Sequence, residues 1–119
     1  PKQRRSRPLR LKSAIWVSAF LRRCTVEGIY GAVVRRGAEE AGALHVIVNH
    51  LDGTCHLLGP APGEAYDEMG DRRWIAEITP PQTPADAMAL LERRIRFDPD
   101  LWIVEVEDRK GMAGLTATP

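Results

Sequence analysis

His50 and Cys55 stand on either side of Asp52-Gly53, between the apolar-rich runs ALHVIVNH and CHLLGP. Asp-Gly between such runs signals a two-residue hairpin turn. Gly53 takes a positive φ freely and Asp52 tolerates one. A loop of that length puts Leu51 opposite Thr54, His50 opposite Cys55 and Asn49 opposite His56, with Val48 facing Leu57 and Ile47 facing Leu58. A histidine facing a cysteine can draw off the thiol proton and leave a thiolate nucleophile. Nucleophilic sites also need an oriented third group, and no oxyanion motif or glycine-rich nucleophile turn accompanies this pair. The structural reading is preferred: His50 at a wet hairpin end and Cys55 filling a small gap.

The same register places His45 and His56 on one face of the hairpin, where Cys55 or Glu77 could complete a metal site on paper. Cys55 and His56 are adjacent, however, and neighbouring residues of a strand point to opposite faces. The chain has neither C-x-x-C nor H-x-x-x-H spacing, so no metal or other cofactor is expected. Glu105 and Glu107 alternate onto one face of a strand, with Asp98, Asp100 and Asp108 nearby. Paired carboxylates can do acid–base work or hold a hard cation. An alternating acidic pair more often solvates an edge strand and discourages edge-to-edge association, and that reading is favoured.

Phosphate binding is the remaining chemistry. Eight of the 17 basic residues (Lys2, Arg4, Arg5, Arg7, Arg10, Lys12, Arg22 and Arg23) precede the first acid, Glu27, and the other nine face all 16 acids. A basic arm on an acidic body suits a polyanion such as nucleic acid, with Arg35 and Arg36 extending the surface. The exposed aromatics typical of single-strand binders are missing, since Trp16 and Phe20 look committed to the core. Neither GAEEAG nor GPAPG fits a phosphate-binding glycine loop. A solubilising arm is the preferred reading.

These side chains must be positioned by a small scaffold. With 119 residues, 44% hydrophobic and 28% charged, the chain has room for one domain and a modest core. Pro1 to Lys12 reads as a flexible basic arm. Ser13 is expected to cap a helix whose inward stripe is Ile15, Trp16, Ala19, Phe20 and Cys24, widened by Val17 and Leu21, with Gly28 as its stop. Tyr30–Arg36 reads as a strand, GAEEAG as its connection, and the hairpin follows. Gly59-Pro60 is expected to end the hairpin. Arg73–Thr79 resumes strand character, with Trp74, Ala76 and Ile78 on one face.

Thr83-Pro84-Ala85-Asp86 carries the cap, the first-turn proline and the reciprocal acid of a helix start. Ala87, Leu90, Leu91, Arg94 and Ile95 mark the inward stripe of that helix. Leu101–Glu107 is the last strand, its core side Trp102, Val104 and Val106, and residues 110–119 read as a loose tail. The order α-β-β-β-β-α-β predicts an α+β fold: a mainly antiparallel sheet of about five strands with helices mainly on one face, spanning residues 13–109.

Three stretches, RLKSAIWVSAFLRRC, GAEEAGALHVIVNHLDGT leading to LLGPAP, and RIRFDPDLWIVEVEDR, resemble an uncharacterised alphaproteobacterial family, domain of unknown function 1491. Together they cover most of the chain from Arg10 to Arg109. The resemblance implies a shared fold, transfers no functional residues, and makes Pro1 to Leu9 an extension beyond the shared domain.

No apolar run approaches the roughly 20 residues of a bilayer span, and the basic start is not followed by a signal-peptide core. Cys24 and Cys55 are expected reduced, and a bacterial cytoplasm is the expected location. The leading functional expectation is a small non-enzymatic module with a protein partner or self-association. Nucleic-acid binding through Lys2, Arg4, Arg5, Arg7, Arg10 and Lys12 is the alternative. A hydrolase or metal-dependent enzyme using His50, Cys55, Glu105 or Glu107 comes third.

Overall fold

The computed structural model describes residues 11–63 and 71–118. Two helices and six strands follow in chain order: α1 (Ser13–Val26), β1 (Gly31–Arg35), β2 (Leu44–Asn49), β3 (Cys55–Pro60), β4 (Trp74–Ile78), α2 (Pro84–Ile95), β5 (Trp102–Glu107) and β6 (Ala117–Thr118). The strands form one sheet in the order β1-β5-β2-β3-β4-β6. The α+β class holds, but the sheet is mixed: β5 runs parallel to β2 and β6 parallel to β4, while the other neighbours are antiparallel.

The parallel pair has a simple origin. A parallel connection needs a crossover, and α2 supplies it. The chain passes over one face of the sheet and returns as β5 between β1 and β2. The last long strand is therefore internal, not an edge. α1 takes the opposite face, so the helices lie on both sides of the sheet rather than mainly on one. Under α1 lie Leu44, Val46, Val48, Leu58, Trp74, Trp102, Val104 and Val106. Under α2 lie Ile47, Cys55, Leu57, Ile78, Leu101 and Ile103. The mixed face of β2 is thus as well covered as its apolar face.

α1 starts differently from expectation. Ser13 lies inside the helix, and Lys12 at the N-cap contributes no side-chain bond. Helix termini leave amides without intrahelical acceptors; here the β1–β2 loop supplies carbonyls. Ser13 N and Ala14 N donate to Glu40 O and Glu39 O at 3.0 and 2.9 Å, and Ser13 Oγ donates to Gly42 O at 2.6 Å. Docking on this loop rotates the helix. Ser13, Val17, Phe20 and Cys24 are buried, while Ile15 turns outward and is 51% exposed. Gly28 ends the helix as expected, with φ +78°.

The hairpin forms, with its register displaced by one residue. Asn49 pairs with Cys55, Val48 with His56, Ile47 with Leu57 and Val46 with Leu58. The loop is longer than two residues: His50 N donates to Thr54 O at 3.0 Å, and Leu51 and Gly53 carry the positive φ values. Two side chains shape it. Asn49 Oδ1 accepts from Leu51 N at 2.8 Å, and Asp52 Oδ1 accepts from Thr54 N at 2.9 Å. These local side-chain bonds compete with the tight turn and prevail. A one-residue slip exchanges the faces of every partner residue.

β3 continues through Pro60 instead of stopping before it. A bulge in β4 sends Ile78 toward α2 while Trp74 and Ala76 stay under α1. α2 is built as its sequence implies. Asp86 N donates to Thr83 Oγ1 at 3.2 Å, Thr83 N donates to Asp86 Oδ2 at 2.9 Å, and Ala87 and Leu91 are buried. Residues after Lys110 do not form a loose tail: Ala113 is fully buried and β6 pairs with β4. Among the described residues no helix is long and apolar enough to cross a membrane.

Candidate functional site

The displaced register separates His50 from Cys55. Cys55 points into the core under α2, completely buried, and burial, followed by Asp86 and Glu105, pushes its thiol up to about 11. His50 lies on the α1 side and turns to other partners. Its Nδ1 is 2.7 Å from Asp108 O, and its Nε2 is 2.8 Å from His56 Nδ1. A thiolate activated by His50 is therefore not assembled.

A carbonyl only accepts, so His50 Nδ1 carries a hydrogen, and with both rings neutral its Nε2 accepts from His56 Nδ1–H. His56 is left with its Nε2 lone pair, which makes it the end of a short relay running from the Asp108 carbonyl. Burial, and then His50, lower the pKa of His56. Asp108 anchors the relay from its own turn. Its carboxylate accepts from Ala113 N at 2.8 Å, Gly111 N at 3.1 Å and Lys110 N at 3.3 Å. Burial works to raise the Asp108 pKa, but these amides outweigh it and hold the carboxyl below its ordinary value.

His45 and His56 lie on opposite faces, so the expectation that they share one is overturned by the register. His45, 2% exposed, sits under α2 beside a salt bridge. Arg94 Nη1 is 2.7 Å from Glu77 Oε1 and 3.3 Å from His45 Nε2. Burial lowers the His45 pKa and favours the neutral ring, which takes the guanidinium hydrogen on Nε2. Gly59 makes room for this group, since a Cβ there would stand 2.9 Å from the Glu77 carboxylate.

Glu105 and Glu107 stand on the internal strand β5; Asn49 of β2 lies in register with Glu107, and its Nδ2 donates to Glu105 Oε2 at 3.1 Å. Among the described residues no group of three or more His, Cys, Asp or Glu side chains is placed to hold a metal ion. Lys2, Arg4, Arg5, Arg7 and Arg10 lie outside the described residues. Lys12 Nζ is 3.8 Å from Glu40.

Two surfaces carry no motif in the sequence that marks them. One is an open groove of about 740 Å³ between α1 and the β4–β6 side of the sheet, lined by Trp16, Phe20, Arg23, Arg72, Trp74 and Leu115. Its cations are engaged: Arg23 Nη2 donates to Ala113 O at 2.9 Å, and Arg72 lies 5.9 Å from the Trp16 ring. The other is the outer edge of β1. Tyr30 O accepts from Glu107 N, so Tyr30 and Ala32 face β5, and alternation turns the backbone groups of Gly31 and Val33 outward. Tyr30, Val33 and Val34 are 66%, 41% and 46% exposed. The apolar run IYGAVV was visible in the sequence, but its place at the sheet edge depends on where β5 inserts.

A family model described as "Protein of unknown function (DUF1491)" matches residues 11–116. The chain belongs to the DUF1491 family. Its fold is similar to the crystal structure of a DUF1491 family protein from Caulobacter crescentus CB15, with 34% identity over 93% of this chain and 100% of that one and a TM-score of 0.75. It is also similar to the solution structure of protein Atu0922 from A. tumefaciens, with 40% identity, coverage of 93% and 98%, and a TM-score of 0.76. No curated protein matches the chain. The DUF1491 match begins at Leu11 and ends at Thr116, so it takes in α1, all the long strands and the turn that carries Asp108.

Proposed function

We propose that this DUF1491 chain is a non-enzymatic interaction module that docks an extended protein segment along the outer edge of β1. One observation carries the reading: the backbone N–H and C=O groups of Gly31 and Val33 face outward on an edge strand whose side chains Tyr30, Val33 and Val34 are exposed. Among the described residues none pairs with that edge. An extended segment would satisfy those groups and cover the apolar side chains in one step. Edge strands are commonly guarded by charge or proline, and no charged residue or proline occurs from Ile29 to Val34.

The test is site-specific photo-crosslinking in the native host. A benzophenone side chain at Val33 should yield a discrete protein adduct, while the same group at Glu92, on the exposed side of α2, should not. Equal labelling at both positions, or none at Val33, would sink the reading.

A further inference from the structure

We infer that the segment docked on β1 is the β1 of a second copy of this chain, paired antiparallel about a two-fold axis passing by Ala32. The inference rests on the edge reading above and adds the partner.

The outward groups set the register. Only Gly31 and Val33 present both N–H and C=O to the open side, because a bulge between Val33 and Arg35 turns Arg35 back toward Ile103 of β5. Antiparallel hydrogen-bonded pairs need outward-facing residues on both strands. Centring on Val33 would place Gly31 opposite Arg35, whose groups face inward. Centring on Ala32 places Gly31 of each copy opposite Val33 of the other, and all four outward N–H and all four outward C=O groups find partners. The closed, isologous arrangement uses up the β1 edge of both copies at once.

The side chains agree with this register. The place a Gly31 side chain would take is filled by Leu21 of α1 and Val106 of β5, so the exposed Val33 of the opposite copy meets an apolar surface there. Tyr30 falls beside Val34 of the other copy, an aromatic against a β-branched residue across the strands. Like charge does not oppose the approach, since Ile29 to Val34 is uncharged. The two arginines that follow point away from the edge. Arg35 Nη1 donates to Pro99 O and Leu101 O at 2.8 Å each, and Arg36 lies over the Trp102 ring at 5.0 Å. Cations that would otherwise guard the edge are held against their own sheet.

Sedimentation velocity over a concentration series of the full chain, with amide exchange at Gly31 and Val33, tests this. The expected result is a dimer fraction that rises with concentration, with both amides slowed in step. Val33→Lys should be monomeric throughout, with an unchanged far-ultraviolet spectrum. Val33→Pro is the second variant, because it removes only an outward donor and leaves the β5 ladder intact. A chain that stays monomeric with fast Gly31 and Val33 amides overturns the self-pairing; the edge reading then stands or falls on the Val33 crosslink. Dimers that survive both variants, or that leave the two amides fast, place the association on another surface and overturn it equally.

Discussion

His50 and His56 share one hydrogen bond, 2.8 Å from Nε2 to Nδ1, with the rings perpendicular and their centroids 5.0 Å apart. The contact joins the two arms of the hairpin across its α1 face and ties both, through His50 Nδ1, to the Asp108 carbonyl.

This gives a pH prediction with a definite sign. The folded pKa of His56 lies below its ordinary value near 6.5, so the unfolded chain binds a proton more readily. Its contribution is complete above about pH 6.5 and declines as pH falls through the lowered folded value. Urea unfolding at pH 7.5 and 5.5 should show a lower midpoint at the acid value. His56→Gln should flatten that difference but not abolish it, because His45 is displaced in the same direction. An identical difference in the variant would remove His56 from the account.

Gly59→Ala should destabilise the fold by about 1 kcal/mol, because the obstacle is the flexible end of Glu77, which can swing aside at the expense of its bond to Arg94. The added Cβ would stand 2.9 Å from the Glu77 carboxylate and force it away from Arg94. In the Arg94→Met background the same change should cost much less, since the pair it disrupts is already gone. Denaturant titration of the four proteins supplies the cycle; additive costs would show that Gly59 acts by another route.

Gly42→Ala should be more damaging than its place in a loop suggests. A Cβ at Gly42 would lie 2.3 Å from Asp100 O, and at Gly37 2.2 Å from the same atom. The obstacle is backbone, which cannot swing aside, so a cost of about 3 kcal/mol is expected, at the upper end for overpacking. The loop that moves also caps α1 through Glu39, Glu40 and Gly42. Thermal unfolding should show a large drop for Gly42→Ala. Ser13→Ala, which loses one hydrogen bond, should cost about 1 kcal/mol.

Cys55 should resist alkylation in the folded protein at neutral pH. Its thiol is fully buried and pushed up to about 11, so both access and thiolate fraction are low. Cys24 is likewise buried, with its pKa raised chiefly by burial. Mass spectrometry after iodoacetamide should find both thiols unmodified natively and both modified in denaturant. Rapid native labelling of Cys55 would contradict the register described above.

The amino-acid sequence by itself determined the local elements: Thr83 and Asp86 as a capping box, Gly28 as a helix stop, Trp102, Val104 and Val106 of β5 as core residues, and a hairpin turning about Asp52-Gly53. Each depends on side chains a few residues apart, whose preferences act before any distant contact forms. Family membership was legible as well, in the runs around α1, the hairpin and β5. Only the tertiary structure decided the register, since Asn49 and Asp52 bond to loop amides and lengthen the turn by enough to reverse the faces of β3. It also decided that β5 lies inside the sheet, leaving β1 at its edge, because that choice depends on where the α2 crossover returns. The same crossover buried His45 and Cys55 under α2 and left His50 and His56 together beneath the other face. Strand neighbours are chosen by long-range burial, and alternation within a strand says which residues share a face, never which strand lies beside it.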